Sequence, residues 1–329
     1  MSIKNKAKQL IIISGPTASG KTGTSIALSK KILEETSLTP HIINYDSLYF
    51  YSELSIGTAK PSIQERDGIK HSGIDLSSIK HNFNAADFTK FALEKLDEVW
   101  STESEIPILV GGSPFYIRAL IKGMYPTPDI EEETKEKVNH LYEKNGIESV
   151  IKELQTYDPE CLGYLHQNDH YRLTRALEYF YQTGKKISDQ KKETDKLDPF
   201  DFSKSQIENL DQHHIYLDLP KDDHLQIIKK RTFKMIEDGL LEEIEALLQA
   251  GFTGKEKALG SIGYKEGLEY LDGQYPSLEE FVERIVISTR QLAKSQRTFY
   301  KKIRPKIEYN PLNDRDKIIS DAIQFLTNN

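Results

Sequence analysis

Several things are scarce in this sequence. Its 329 residues hold one cysteine, Cys161, one tryptophan and three methionines. A single cysteine excludes an internal disulfide and a zinc site built on thiolates. No apolar run approaches the ~20 residues that a bilayer span requires. The basic start, MSIKNKAKQLIIISG, has an apolar run too short for a signal-peptide core and leads straight into a glycine-rich loop. No internal repeat or low-complexity tract is present. A cytoplasmic protein that keeps away from membranes is expected. Positive charge is also in short supply. The 44 Lys and Arg face 51 Asp and Glu, for a formal net charge of -7, which taken alone argues against a polyanionic partner. What remains, 37% hydrophobic and 29% charged residues, is the make-up of a globular chain with a real core.

The strongest local signal is GPTASGKT, residues 15–22. Gly15, Gly20, Lys21 and Thr22 complete the pattern G-x-x-x-x-G-K-[ST] between an apolar run at 9–14, read as a buried strand, and a helical pattern at 21–35. Glycines let the backbone turn its N–H groups toward an anion, and the helix N-terminus adds positive potential. Lys21 brings a charge, and the Thr22 hydroxyl suits Mg²⁺. The motif implies nucleotide binding, ATP being the usual ligand, and most such proteins hydrolyse it or transfer its terminal phosphate.

Further strands are expected at 41–46 (HIINYD), 106–112 (IPILVGG) and 213–219 (HHIYLDL), with a helix at 83–100 that Asn84 caps and Asp87 closes. Strands alternating with helices predict an α/β fold, a P-loop NTPase-like parallel sheet covered on both faces. From 124 to 200 the chain turns charged and helical, broken at Asp158-Pro159, with a loop at 191–204. One long helix is expected over 221–250 and another over 277–303. The division is therefore 1–123 and 201–329 for the catalytic core with its C-terminal helices, and 124–200 for a helical insertion.

Asp46 stands at the carboxyl end of the second strand, where open α/β sheets bind ligands. Three readings stay open for it: a Mg²⁺ ligand, a general base, or a cap for the next segment. Ser113 follows Gly111-Gly112 and precedes Pro114. It is either a plain N-cap or an anion contact at a helix N-terminus. Arg231 shares a helical stripe with Ile227, Ile228 and Met235. Its guanidinium either meets an anion there or reaches water along an apolar stem. The last long helix carries Arg290, Lys294, Arg297 and Lys301 at spacings of four, three and four, and residues 284–306 hold eight Lys or Arg and no acid. That local stripe suits phosphate contacts despite the overall negative charge.

The order of motifs resembles that of the tRNA dimethylallyltransferases. The phosphate loop is followed by Asp46-Ser47 and, after eight residues, by IGTAKP. NAADF (84–88), LVGGSPFYIRAL, HQNDHYRLTRALEYFYQTGK, SIGYKEGLEYL and STRQLAKSQRTFYKK then follow in order, so the resemblance covers residues 10 to about 303. It is to the bacterial type, since one cysteine leaves no ligands for the zinc finger of eukaryotic relatives. The resemblance implies that residues 15–22 (Gly15, Pro16, Thr17, Ala18, Ser19, Gly20, Lys21 and Thr22) hold the diphosphate of dimethylallyl diphosphate, with Mg²⁺ at Thr22. It implies Asp46 as base, with Ser113 and Arg231 at the diphosphate. For the anticodon stem-loop of tRNA it implies Ser47, Leu48 and Tyr49, Lys135, Arg172 and Arg175 in the insertion, then Gly263, Tyr264, Lys265, Arg290, Lys294 and Arg297. The target adenine, 3′ of the anticodon, would have to leave its stack to react. A monomer is expected.

Three departures stand out. Leu48-Tyr49 replace the usual Arg-Gln, Ser113-Pro114-Phe115 replace Thr-Gly-Leu, and Phe299 replaces a tryptophan. Rival readings are a P-loop kinase of a small molecule or nucleoside, an RNA-binding module without transfer chemistry, and prenylation of free adenine nucleotides. The kinase gives no reason for the basic stripe, the RNA-binding module does not need Asp46, Ser113 and Arg231 together, and a free nucleotide needs neither the long insertion nor the basic helix.

Overall fold

Leu10, Ile11, Ile12 and Ile13 have no exposed surface, so β1 (Lys8–Ser14) is covered on both faces. A four-residue unbroken apolar run is the pattern of a strand inside a parallel sheet. The computed structural model describes residues 7–124, 128–194 and 198–328. The first six residues and 195–197 of the loop expected over 191–204 lie outside these, and 191–194 of that expected loop belong instead to a helix, Ile187–Thr194. The chain divides into two compact units, Met1–Gly123 with Phe202–Asn329, and Met124–Asp201.

In the first unit β1 leads to α1 (Lys21–Glu35), β2 (Thr39–Asn44), β3 (Lys70–Ser72), α2 (Ala85–Trp100), β4 (Glu105–Gly111) and α3 (Pro114–Lys122). The second unit holds α4 (Glu132–Tyr157), α5 (His170–Thr183) and α6 (Ile187–Thr194). The first unit resumes with β5 (Leu210–Leu217), α7 (Lys221–Glu237), α8 (Leu240–Gln249), α9 (Tyr264–Leu271), α10 (Leu278–Tyr300), β6 (Ile307–Tyr309) and α11 (Arg315–Thr327).

The six strands form one sheet in the order β3-β2-β4-β1-β5-β6, every pair parallel. The chain leaves β1, passes over β4 to build β2, and later returns to the other side of β1 with β5. That reversal opens a crevice at the carboxyl ends of the strands. Register aligns the ends: Ser14 lies beside Gly111 and Tyr216, and Asn44 beside Val110. The loops after β1, β2 and β4 therefore leave the sheet side by side.

Local signals mostly act as their chemistry dictates. Asn84 Oδ1 accepts from the N–H groups of Ala86 (2.7 Å) and Asp87 (3.3 Å), and Asp87 Oδ2 accepts from Asn84 N–H at 2.9 Å, a closed capping box. The helix expected over 221–250 is instead two helices, α7 and α8. Gly239 adopts a left-handed conformation (φ 99°), which ends the first and starts the second. The strand expected at 41–46 stops at Asn44, leaving Asp46 in the loop beyond it. β3, β6 and α11 were not expected. In α11, Ile318, Ala322 and Leu326 are buried in the cluster that holds Leu28 and Ile32 of α1.

The second unit has its own small core of Val138, Val150, Leu154, Cys161, Leu173 and Leu177. Asp158 is buried there and accepts from Ser188 N–H at 3.0 Å and Ser188 Oγ at 2.5 Å. Among the described residues, no helix is long and apolar enough to cross a membrane.

Candidate active site

One cavity of about 590 Å³ lies at the crevice, lined by the phosphate loop, the loop after β2, the end of β4, and helices α7 and α10. That size suits a small-molecule ligand. Polar and cationic groups (Lys21, Thr22, Asp46, Arg231) share its lining with Ile227, Met235, Ile262, Ile285 and Leu292.

Lys21 is the first residue of α1, after Gly20 in a left-handed conformation (φ 82°). Its Nζ donates to the Pro16 and Gly15 carbonyls at 2.8 and 3.2 Å. Burial lowers its pKa to about 8, against the pull of Asp46 and with added repulsion from Arg231. The Ser19 hydroxyl is buried and has no hydrogen-bond partner among the described residues. An unsatisfied donor in such a loop suits an incoming anion.

Asp46 is oriented by its own neighbourhood. Its N–H donates to Asn44 Oδ1 at 2.9 Å, Asn44 Nδ2 donates to the Asp46 carbonyl at 3.1 Å, and Leu48 N–H reaches Asp46 Oδ1 at 3.4 Å. Oδ2 makes no hydrogen bond among the described residues. A Cβ placed on Gly112 would lie 3.4 Å from both Asp46 Oδ2 and Lys21 Nζ, so both groups crowd the same glycine. Ser113 precedes α3 and its Pro114, but its hydroxyl does not cap the helix. It accepts from Ser47 N–H at 3.1 Å and donates to Ser47 Oγ at 3.3 Å, joining the ends of β2 and β4. Arg231 is half-buried. It donates to the Thr58 carbonyl at 2.9 Å and to Thr17 Oγ1 at 3.4 Å, so its guanidinium sits inside the cavity rather than reaching water.

Two residues that bind this site together were not expected. Gln296, 8% exposed on α10, accepts from Thr17 N–H and donates to the Gly112 carbonyl, both at 2.8 Å. His224, 2% exposed on α7, contacts the Thr17 carbonyl through Nε2 at 2.8 Å. A signal was present: each is a polar residue on the buried stripe of its helix, in step with Tyr300 in one case and Ile228 in the other.

Glu243 of α8 organises the loop after β2. It accepts from the N–H groups of Ser55, Ile56 and Gly57 at 3.1, 2.9 and 3.3 Å, and from the Tyr264 hydroxyl at 2.5 Å. Tyr49 donates to the Ala59 carbonyl at 2.9 Å and lies beside the Thr22 side chain, with burial pushing its phenol pKa up.

A metal fit can be tested on these donors. Thr22 and Asp46 offer oxygen ligands, the kind Mg²⁺ prefers. Among the described residues no group of three or more His, Cys, Asp or Glu could hold a metal ion. The residues therefore fit a Mg²⁺ that takes its remaining ligands from phosphate oxygens and water.

A family model described as IPP transferase matches residues 49–303. The chain is 37% identical to tRNA dimethylallyltransferase 2 of Geotalea uraniireducens, over 89% of each chain. It belongs to the IPP transferase family of tRNA dimethylallyltransferases. A tRNA dimethylallyltransferase of Francisella tularensis subsp. novicida is 34% identical over 94% of this chain and 96% of its own. Among solved structures, the tRNA isopentenylpyrophosphate transferase of Bacillus halodurans superposes with a TM-score of 0.68 at 29% identity, covering 98% of this chain and 96% of that one. A eukaryotic dimethylallyltransferase, described as acting on tRNA, gives 0.77 at 27% identity, covering 98% and 80%. The α/β, P-loop NTPase-like fold and prenyltransferase chemistry accord with this family, and the kinase reading is not favoured.

Within that family frame, some of the residues expected at tRNA are placed otherwise. Tyr264 is fully buried and bonded to Glu243, and Gly263 is buried with its N–H on Glu266 Oε2 at 2.8 Å, so neither offers a surface to RNA. Lys265 beside them is exposed. Arg297 is also not a surface cation. Its side chain is 18% exposed and donates through Nε to Asp218 Oδ1 at 2.7 Å. A single helix stripe wraps past a neighbour, so Arg290 and Lys294 stay in solvent while Arg297 meets the end of β5. In the second unit Arg172 is 69% exposed with Asp169 at 3.3 Å, Arg175 pairs with Glu178 at 2.7 Å, and Lys135 with Glu132 at 2.9 Å.

Proposed function

We propose that this chain transfers the dimethylallyl group of dimethylallyl diphosphate to N6 of adenosine 37, the nucleotide 3′ of the anticodon in tRNA, and releases diphosphate. The observation that carries this reading is the two-sided lining of one cavity. Lys21, Arg231 and the phosphate loop share it with Ile227, Met235, Ile285 and Leu292, and the unpartnered Asp46 Oδ2 stands beside Lys21. A prenyl diphosphate has the same two halves, and a base beside the cationic half is what its transfer to an amine requires.

The exocyclic amine of adenine is a weak nucleophile. As its nitrogen bonds to C1 of the prenyl group, the C1–O bond breaks and its electron pair leaves with diphosphate. One N6 proton goes to Asp46 Oδ2. Lys21, Arg231 and the loop N–H groups face the charge that grows on the leaving oxygens. Ser113, tied to Ser47, sets the spacing between the Asp46 loop and the end of β4. Thr22 would hold Mg²⁺, which neutralises part of the diphosphate charge when bound.

For tRNA, the exposed cations Arg290, Lys294 and Lys265 are assigned to its phosphates, with Arg172, Arg175 and Lys135 of the second unit. Ser47 and Leu48 are assigned to the adenine. Tyr49, with its hydroxyl tied to Ala59, forms the wall of the pocket. A monomer acting in the cytoplasm is part of this reading.

The test is a transfer assay with Mg²⁺, unmodified tRNA, radiolabelled dimethylallyl diphosphate and a parallel tube with ATP. Label in tRNA without ATP consumption is expected. ATP consumed with no label transferred would overturn the reading.

A further inference from the structure

We propose that His224, set by Arg297 and Asp218, is a positioning residue that locks the Thr17–Ala18 peptide of the phosphate loop in its anion-binding orientation. This rests on the loop's being the diphosphate cradle and adds what keeps the cradle in shape.

The contacts form a chain across three elements. Asp218, just after β5, accepts from Arg297 Nε of α10 at 2.7 Å. Arg297 Nη2 donates to the Leu219 carbonyl at 3.2 Å and to His224 Nδ1 at 2.7 Å. His224 Nε2 faces the Thr17 carbonyl at 2.8 Å. Only one protonation pattern satisfies all of these. A carbonyl only accepts, so Nε2 carries the proton. A guanidinium only donates, so Nδ1 must offer its lone pair. Arg297 thereby enforces a neutral imidazole in the tautomer that bonds Thr17.

The locked peptide needs an outside hold. Ala18 has φ 60°, a left-handed conformation unfavourable for a residue with a Cβ. Turning over the peptide between Thr17 and Ala18 would change ψ of Thr17 and φ of Ala18 together, bringing φ of Ala18 back to negative values, which residues with a Cβ prefer. It would also exchange the directions of the Thr17 carbonyl and the Ala18 N–H, which oppose each other across a trans peptide. In the observed orientation the carbonyl is taken up by His224. The Ala18 N–H makes no hydrogen bond among the described residues, and Ala18 lines the cavity. Flipped, the loop would offer an oxygen where a phosphate must bind. Gln296 secures the Thr17 N–H, which belongs to the preceding peptide and leaves this flip unopposed.

The test is calorimetric binding of inorganic pyrophosphate with Mg²⁺ to the full-length protein, with steady-state kinetics alongside. His224→Leu is expected to weaken pyrophosphate binding about tenfold, the size of one lost hydrogen bond. KM for the prenyl diphosphate should rise equally while KM for tRNA stays put. His224→Gln, which can donate from the Nε2 position, should recover most of the loss. His224→Asn, which reproduces only the Nδ1 acceptor, should not. Adding Ala18→Gly to His224→Leu should also restore binding, because glycine accepts a positive φ without penalty. Equal pyrophosphate affinity in wild type and a folded His224→Leu would overturn the inference alone. So would a loss that neither His224→Gln nor Ala18→Gly repairs. A wild type that binds no pyrophosphate would overturn the diphosphate reading itself, and the inference with it.

Discussion

Gln296 accepts the Thr17 N–H at 2.8 Å, and through its other end it donates to Gly112 at the same distance. One buried amide thus ties the phosphate loop to the end of β4, where Asp46 and Lys21 also converge. Gln296→Leu leaves a buried N–H and a buried carbonyl without partners. It should cost about 1–3 kcal/mol of stability and raise KM for the prenyl diphosphate. Thermal denaturation and kinetics on the same preparation check this. An unchanged melting temperature with unchanged KM would remove the tie from the account.

Asp46→Asn keeps the acceptor that Leu48 N–H uses but takes away the proton acceptor. Turnover should fall by about 10²–10⁴, the usual contribution of a general base, while pyrophosphate binding stays near wild type. Single-turnover kinetics separate the two. Full turnover would mean that the N6 proton leaves by another route.

Lys21, with its pKa lowered to about 8, predicts a pH dependence of binding. The free protein sheds this proton as pH rises through about 8, and diphosphate binds the charged form. Affinity for pyrophosphate should therefore fall above pH 8, and binding should take up a proton there, seen as heats that differ between buffers of unlike ionisation enthalpy. The effect on folding has the opposite sense. The unfolded chain holds the proton up to the ordinary value of 10.5 and the folded one only to about 8, so this group's unfavourable contribution is full below pH 8 and fades as pH rises toward 10.5.

Glu243 takes three backbone N–H groups and one phenol, so Glu243→Ala should loosen residues 55–59 well beyond its own position. The Thr58 carbonyl in this stretch holds Arg231. Faster hydrogen exchange at Ser55, Ile56 and Gly57, with weaker pyrophosphate binding, is the expected pair of results. Faster exchange without any change in binding would separate the loop from the site.

The basic helix should split by exposure. Arg290→Ala and Lys294→Ala remove exposed cations and should each lower the salt slope of tRNA binding by about one. Arg297→Ala, ion-paired to Asp218, should leave that slope unchanged and instead weaken pyrophosphate binding. Filter binding across a salt series distinguishes them.

The unbroken run at Leu10–Ile13 and the glycine-lysine-threonine loop were enough, from sequence alone, for the parallel α/β core and the strand–loop–helix turn that opens α1, because both depend on residues adjacent in the chain. The capping box at Asn84 and Asp87 was legible for the same reason. So was a stripe with Arg231 in it, since helical period needs no knowledge of the partner. What the stripe faces was a different matter. Arg297 has the same spacing as Arg290 and Lys294, yet one meets Asp218 and the others meet water, because only the packing of α10 against β5 and α7 decides which turns are covered. Tyr264 was expected at the tRNA and is core, since its partner Glu243 lies on another helix. The break at Gly239 could not be told from a glycine carried within a helix until tertiary packing selected its left-handed conformation. His224 and Gln296 converge on one residue of the phosphate loop, Thr17, from helices far along the chain. No local pattern specifies that meeting; the sheet order, which aligns the ends of β1, β4 and β5, does.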